Sequence, residues 1–247
     1  MFFQFKNALL STFLVSVIGF QPTYAAISLD RTRIVFDSTQ KSVSLRISNE
    51  NKKLPYLAQG WLEDAEGNKI TGPLVVLPPV QRVEPGASSQ LKIQALPAVA
   101  SLPQDRESLF FFNLREIPPK SSKPNTLQIA LQTRIKLFYR PTAIIADKSA
   151  APWQEQLKLS REGDKYRIHN PTNYYITLVE GRKSAKSKTI ESFKPLMLAP
   201  QSHQLLTSSV TELGSSPVIN YVNDYGARPK LQFSCKVNLC IATPLDN

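Results

Sequence analysis

Histidine occurs only at positions 169 and 203 of this chain, and cysteine only at 235 and 240. These scarcities exclude much chemistry. Neither histidine has a nucleophile or a metal-ligand pattern beside it, so acid–base and nucleophilic catalysis have no local motif to rest on. His169 ends an alternating run before Asn170-Pro171, and His203 follows Pro200-Gln201-Ser202; both read as surface residues. With 9 glycines in 247 residues there is no glycine-rich phosphate loop. Asp105 and Glu107 are close in sequence but lack the setting of a catalytic carboxylate pair. A zinc site needs four ligands, which the two histidines and two cysteines do not supply in any known spacing. Cys-x-x-Cys, the dithiol redox motif, is absent. The residues therefore point away from an enzyme and call for no metal, cofactor or small-molecule substrate.

Long apolar runs are scarce too. The one that stands out is Ala8 to Phe20, broken by Ser11, Thr12, Ser16 and Gly19, with Lys6 before it and Thr23-Tyr24-Ala25 after it. That layout is an export signal cleaved before Ala26. The run is shorter than the roughly 20 apolar residues a membrane span needs. Removing residues 1–25 leaves about 220 residues, room for two β domains of roughly 100–120 residues each. The full chain carries a formal net charge of +11. Such a charge suits an acidic partner, an anionic surface or nucleic acid, and export sets nucleic acid aside. Export also places the chain where disulfides persist. Cys235 and Cys240 then read as a structural bridge between neighbouring strands, closing a loop worth about 2 kcal/mol.

Prolines (19) outnumber glycines, and helical periodicity is hard to find. Short alternating runs are common instead: Val43 to Ile47, Leu91 to Ile93, and Leu127 to Leu131. Alternation sends one set of side chains to a core and the other to solvent. Turn chemistry separates the runs at Ser48 to Asn51, Glu66-Gly67-Asn68, Glu84-Pro85-Gly86 and Pro118-Pro119. Many short strands at this spacing predict an all-β chain, a β-sandwich or a barrel. A boundary falls after Arg140-Pro141, giving a first domain over 26–144 and a second over 145–247. Strands of the second are expected at Leu157 to Leu159, Tyr166 to Ile168, Tyr174 to Val179, Ile190 to Phe193, Val218 to Val222, Leu231 to Phe233 and Leu239 to Thr243. The feature that stands apart is a strand over Asn125 to Lys136. Its apolar set is Leu127, Ile129 and Leu131, and it serves either a core or, at an edge, a partner.

The run from Leu102 to Pro119, LPQDRESLFFFNLREIPP, resembles the signature of the periplasmic pilus chaperones. The likeness extends to Ile27 to Arg33, Ser48-Asn49 with Leu54 to Leu57, Gly72-Pro73 through Arg82, Leu127 to Pro141, Asn223 to Gly226 with Arg228-Pro229, and the cysteine pair. It is looser from Ser184 to Val210. This resemblance implies two immunoglobulin-like β-sandwich domains set at an angle, with a cleft between them. Clients of such a family are pilus subunits whose own sandwich lacks a strand. The resemblance gives Asn125, Leu127, Ile129 and Leu131 to a lent strand that fills the subunit groove, a form of strand addition to an exposed sheet edge. Burying three such side chains supplies about 5–9 kcal/mol before entropic costs. Arg33 and Lys136 match the pair that grips the subunit's C-terminal carboxylate, with charge-assisted hydrogen bonds worth roughly 1.5–3 kcal/mol each. Glu107, Arg140 and Asp224 match an interdomain ion network. Leu57, Val80 and Lys92 match a face that meets the outer-membrane usher, although Lys92 stands where a pilus chaperone has arginine and so lacks the bidentate fork. The short loop from Pro118 to Asn125 goes with rod-like pili. Weak self-pairing of the free chain is expected from its exposed apolar edge.

Two other readings have requirements of their own. A secreted sandwich that binds glycans needs an aromatic platform, for which Trp153, Tyr174 and Tyr175 are the residues available. An envelope hydrolase needs a nucleophile or metal motif, which the sequence does not offer.

Overall fold

The computed structural model describes residues 26–147 and 149–245. The expected export signal lies outside the described residues. The first half builds strands β1 (Ile27–Leu29), β2 (Arg33–Asp37), β3 (Ser42–Asn49), β4 (Tyr56–Glu63), β5 (Lys69–Ile70), β6 (Leu74–Leu77), β7 (Val80–Val83), β8 (Ser88–Ala95), β9 (Ser108–Ile117) and β10 (Gln132–Arg140). The second builds β11 (Lys158–Glu162), β12 (Lys165–Asn170), β13 (Ile176–Arg182), β14 (Leu196–Leu198), β15 (Ser202–Ser209), the one-turn helix α1 (Val210–Leu213), β16 (Val218–Val222), β17 (Lys230–Lys236) and β18 (Leu239–Leu245).

Alternation explains the first sandwich. Leu45 and Ile47 of β3 and Leu91 and Ile93 of β8 are fully buried, while Arg46 and Lys92 between them face solvent. One sheet runs β1-β3-β8-β6; the facing sheet runs β2-β10-β9-β4-β5, with β7 also on β4. Phe36, Phe112, Leu114 and Leu137 close the core between them. β10 lies antiparallel to β9 and parallel to β2, so the chain's signature run and its basic strand are neighbours.

In the second unit a single ladder, β14-β13-β16-β17-β18-β11-β12-β15, curls around its own core of Leu159, Ile168, Leu178, Tyr221 and Phe233. Gly181 is needed there, because a Cβ at that position would meet the Phe193 ring at 2.4 Å. Cys235 and Cys240 are register partners at the end of the β17–β18 hairpin and are joined by a disulfide.

Two expected strands need correction. Ile190 to Phe193 is a turn whose Phe193 drops into the core, and the strand there is β14. The stretch read as one strand over Asn125 to Lys136 enters the ladder only at Gln132. Gln132 pairs with Arg115, and the Glu116 N–H donates to the Leu131 carbonyl at 3.0 Å. Beyond Ile117 the partner strand continues into Pro118-Pro119, which have no N–H to donate, so the ladder stops.

Candidate functional site

Parallel pairing of β2 with β10 sets Arg33 directly against Lys136. Both side chains cross to the second unit. Arg33 Nη1 donates to the Val222 carbonyl at 3.2 Å, and Lys136 Nζ donates to Thr177 Oγ1 at 2.9 Å. Neither forms an ion pair among the described residues. Burial, then the neighbouring Arg33, pushes the Lys136 ammonium down to about 8. Burial also lowers Arg33, against the pull of Asp224. Arg33 Nε is buried and has no hydrogen-bond partner. Two cations at adjacent register positions and without an ion pair weaken the fold unless an anion joins them, because unpaired, partly buried charge is destabilising.

Asn125 to Leu131 leads into this strand. Leu127, Ile129 and Leu131 are 85%, 65% and 46% exposed, an apolar series that meets no core of this chain. Neither neighbour covers it: β9 ends at Ile117, and β2 begins opposite Lys136. Asn125 itself turns the chain with φ 52°, and Gln128 Nε2 holds the Pro119 carbonyl at 2.5 Å. An extended apolar segment with bare backbone edges can accept a strand from a partner.

Behind the cation pair, Arg140 joins the two units. Its Nε and Nη2 donate to Glu107 Oε1 at 2.9 and 2.7 Å, and its Nη1 and Nη2 donate to the Asp224 carboxylate at 2.8 and 3.2 Å. Glu107 Oε2 accepts from the Tyr175 N–H at 2.7 Å, and the Glu107 N–H donates to the Asn173 carbonyl at 2.9 Å. Burial pushes the Glu107 carboxyl up to about 7, with Arg140 and the Tyr175 N–H pulling it back. Burial works against the Arg140 charge, but the hydrogen bonds it donates to Asp224 and the field of Glu107 outweigh it and raise its pKa. The structure thus brings Glu107, Arg140 and Asp224 into one network.

The aromatics considered for a glycan platform pack here instead. Trp153 stacks on Tyr174 at 4.3 Å, and the Arg140 guanidinium lies 4.8 and 5.0 Å from their ring centres. Tyr175 stacks on Phe138 at 5.7 Å. Gly226 closes the junction: with φ 84°, it would place a Cβ 2.7 Å from Thr32 Oγ1 of the first unit.

Leu57 and Val80 share one face of the sheet formed by β4 and β7, whose register sets Leu57 against Arg82 and Gln59 against Val80. Both are exposed. Lys92 lies on the facing sheet, beside exposed Leu77. The sheets are tied at this edge by Gln81 Nε2 donating to the Gln90 carbonyl at 2.9 Å. Sequence reading missed Leu54 and Leu77, which add to the exposed apolar surface of this domain. Leucine before proline at 54 and 77 was the available signal, since such leucines sit at strand ends.

Comparison with known proteins places both halves of the chain. Residues 26–145 match the family model described as "Pili and flagellar-assembly chaperone, PapD N-terminal domain", and residues 152–233 match "Pili assembly chaperone PapD, C-terminal domain". The chain is 52% identical to chaperone protein PapD of Escherichia coli over 217 residues, covering 87% of this chain and 89% of that one. It is 43% identical to chaperone protein PmfD of Proteus mirabilis over 230 residues, covering 91% and 89%. Among solved structures, the CupB2 chaperone of Pseudomonas aeruginosa superposes with a TM-score of 0.70 at 30% identity, covering 85% of this chain and all of that one. Both halves of the described chain match at this level, and the chain belongs to the PapD family of pilus assembly chaperones.

Proposed function

We propose that this protein captures pilus subunits in the periplasm, completes their fold with a lent strand and hands them to an outer-membrane usher. The subunit's C-terminal carboxylate sits between Arg33 and Lys136. Its open edge pairs with the backbone of 125–131, and Leu127, Ile129 and Leu131 enter its groove, with Asn125 at the start of the lent segment. Glu107, Arg140 and Asp224 hold the two domains, 26–144 and 145–247, at the angle that keeps the cleft open. Leu57, Val80 and Lys92 face the usher. Release follows when the next subunit's strand replaces the lent one. The single observation that carries this reading is the Arg33 and Lys136 pair, which forms no ion pair among the described residues, at the foot of an uncovered apolar segment. A carboxylate there supplies the missing anion and fixes register, because a one-residue slip would turn the apolar set away from the groove.

The test is co-purification of subunits with the intact chain and with Lys136→Ala and Arg33→Ala, each checked for native folding. Subunits should accompany the intact chain and be lost from both variants. Folded variants that still hold subunits would sink the carboxylate anchor.

A further inference from the structure

The chain's only two histidines, distant in sequence, become direct partners across β12 and β15. Tyr166, Ile168 and Asn170 of β12 point into the core, which leaves His169 on the outer face with exposed His203. Their ring centroids are 5.7 Å apart, with the planes tilted by 39°. An imidazole nitrogen binds zinc at about 2.0–2.1 Å, so two rings sharing one ion have centroids about 5–6.5 Å apart. The observed separation falls within that range. Ser160 Oγ lies 2.7 Å from His169 Nε2. Histidines that bind metal usually donate their other ring N–H to such a partner, which fixes the ring and its tautomer.

We propose that His169 and His203 form a surface site for a borderline divalent cation of the Zn2+, Ni2+ or Cu2+ class, which clips β15 to β12. In the bound form Nε2–H of His169 donates to Ser160 and Nδ1 takes the metal. His203 is the second ligand and water completes the shell. Imidazole ligands suit this class rather than Ca2+ or Mg2+, with Cu2+ held most tightly. β15 lies at the end of the eight-stranded ladder, so the ion would fasten a terminal strand. The field of Glu162 favours a cation at both rings, while Arg167 and Lys158 oppose it at His169. Among the described residues there is no cluster of three or more acidic, histidine or cysteine side chains positioned for a metal. The site is therefore a two-ligand one of modest affinity.

The experiment is calorimetric titration of the untagged mature chain with Zn2+, then Ni2+, at pH 7.5 in a non-coordinating buffer. One equivalent should bind. His203→Ala and His169→Ala should each weaken binding at least tenfold, and Ser160→Ala should do so severalfold. Zn2+ should raise the thermal midpoint of the parent chain and leave that of the histidine-free double variant unmoved. Unchanged affinity in His203→Ala, a variant at an exposed position, would overturn the site. So would an equal Zn2+ response from the double variant.

Discussion

Burial and Arg33 depress the Lys136 ammonium to about 8 in the folded chain, against an ordinary lysine value of 10.5. Between those values the unfolded chain binds more protons than the folded one, so stability rises with pH across the window from about 8 to 10.5. At neutral pH both states carry the proton and the full penalty of the buried charge remains. Lys136→Met is therefore expected to stabilise the free chain at pH 7, by about 1–2 kcal/mol after allowing for screening of a partly exposed side chain. The gain should fade toward pH 10.5. Urea unfolding at pH 7 and pH 10 would show it, and the same variant should fail to hold subunits. A residue that weakens the empty fold and strengthens the loaded one is there for its ligand. The subunit complex should also loosen as pH climbs past about 8, when the free cleft loses its ammonium. A variant no more stable than its parent at pH 7 would mean the charge is solvated and the cleft is not strained by it.

The segment 125–131, unlike a core strand, contributes nothing to this chain's own core. Ile129 is 65% exposed, so Ile129→Asp should leave the free energy of unfolding within about 0.5 kcal/mol of the parent, as for other surface changes. In a subunit groove the same carboxylate would lose its water without gaining a partner, which costs several kcal/mol. Subunit capture should therefore collapse while stability does not, as measured by co-purification beside a denaturant curve. Equal loss of both would make 125–131 a structural strand. The apolar alternation of this segment was legible in the sequence. Its boundary was not, because the ladder is ended by prolines on the partner strand rather than by anything within the segment. Polar residues concealed β15 for a similar reason. Of its inward positions, Leu206 is apolar but Ser208 is a fully buried serine, bonded to Ser192 Oγ at 2.9 Å. A serine on the core face erases the alternation that marks a strand. Glu107, Arg140 and Asp224 came only from family resemblance, since no local pattern announces an ion network assembled from three distant segments.

At the scale of the whole molecule, two closed cores meet at a small junction. The clusters around Phe112 and Phe233 are separate. What joins them is largely polar and aromatic: the Arg140 network, the Trp153 and Tyr174 stack, and the reach of Arg33 and Lys136 to Val222 and Thr177. Such a junction adds less to stability than a shared apolar core, and it depends on every partner being present. Removing Arg140 leaves Glu107 buried without its cation, a loss of about 3–5 kcal/mol for a broken buried pair. The loss falls on the coupling between domains, because the carboxylate reaches the second domain through the Tyr175 N–H. Arg140→Ala is therefore expected to turn one cooperative calorimetric transition into two, with each domain melting on its own. Small-angle scattering of the folded variant should show a wider spread of interdomain angles, and subunit capture should fall even though Arg33 and Lys136 are intact. A single transition at an unchanged temperature would place the domain coupling elsewhere. In that case the packing of Phe138 on Tyr175 and the contact of Gly226 with Thr32 would be the next positions to alter.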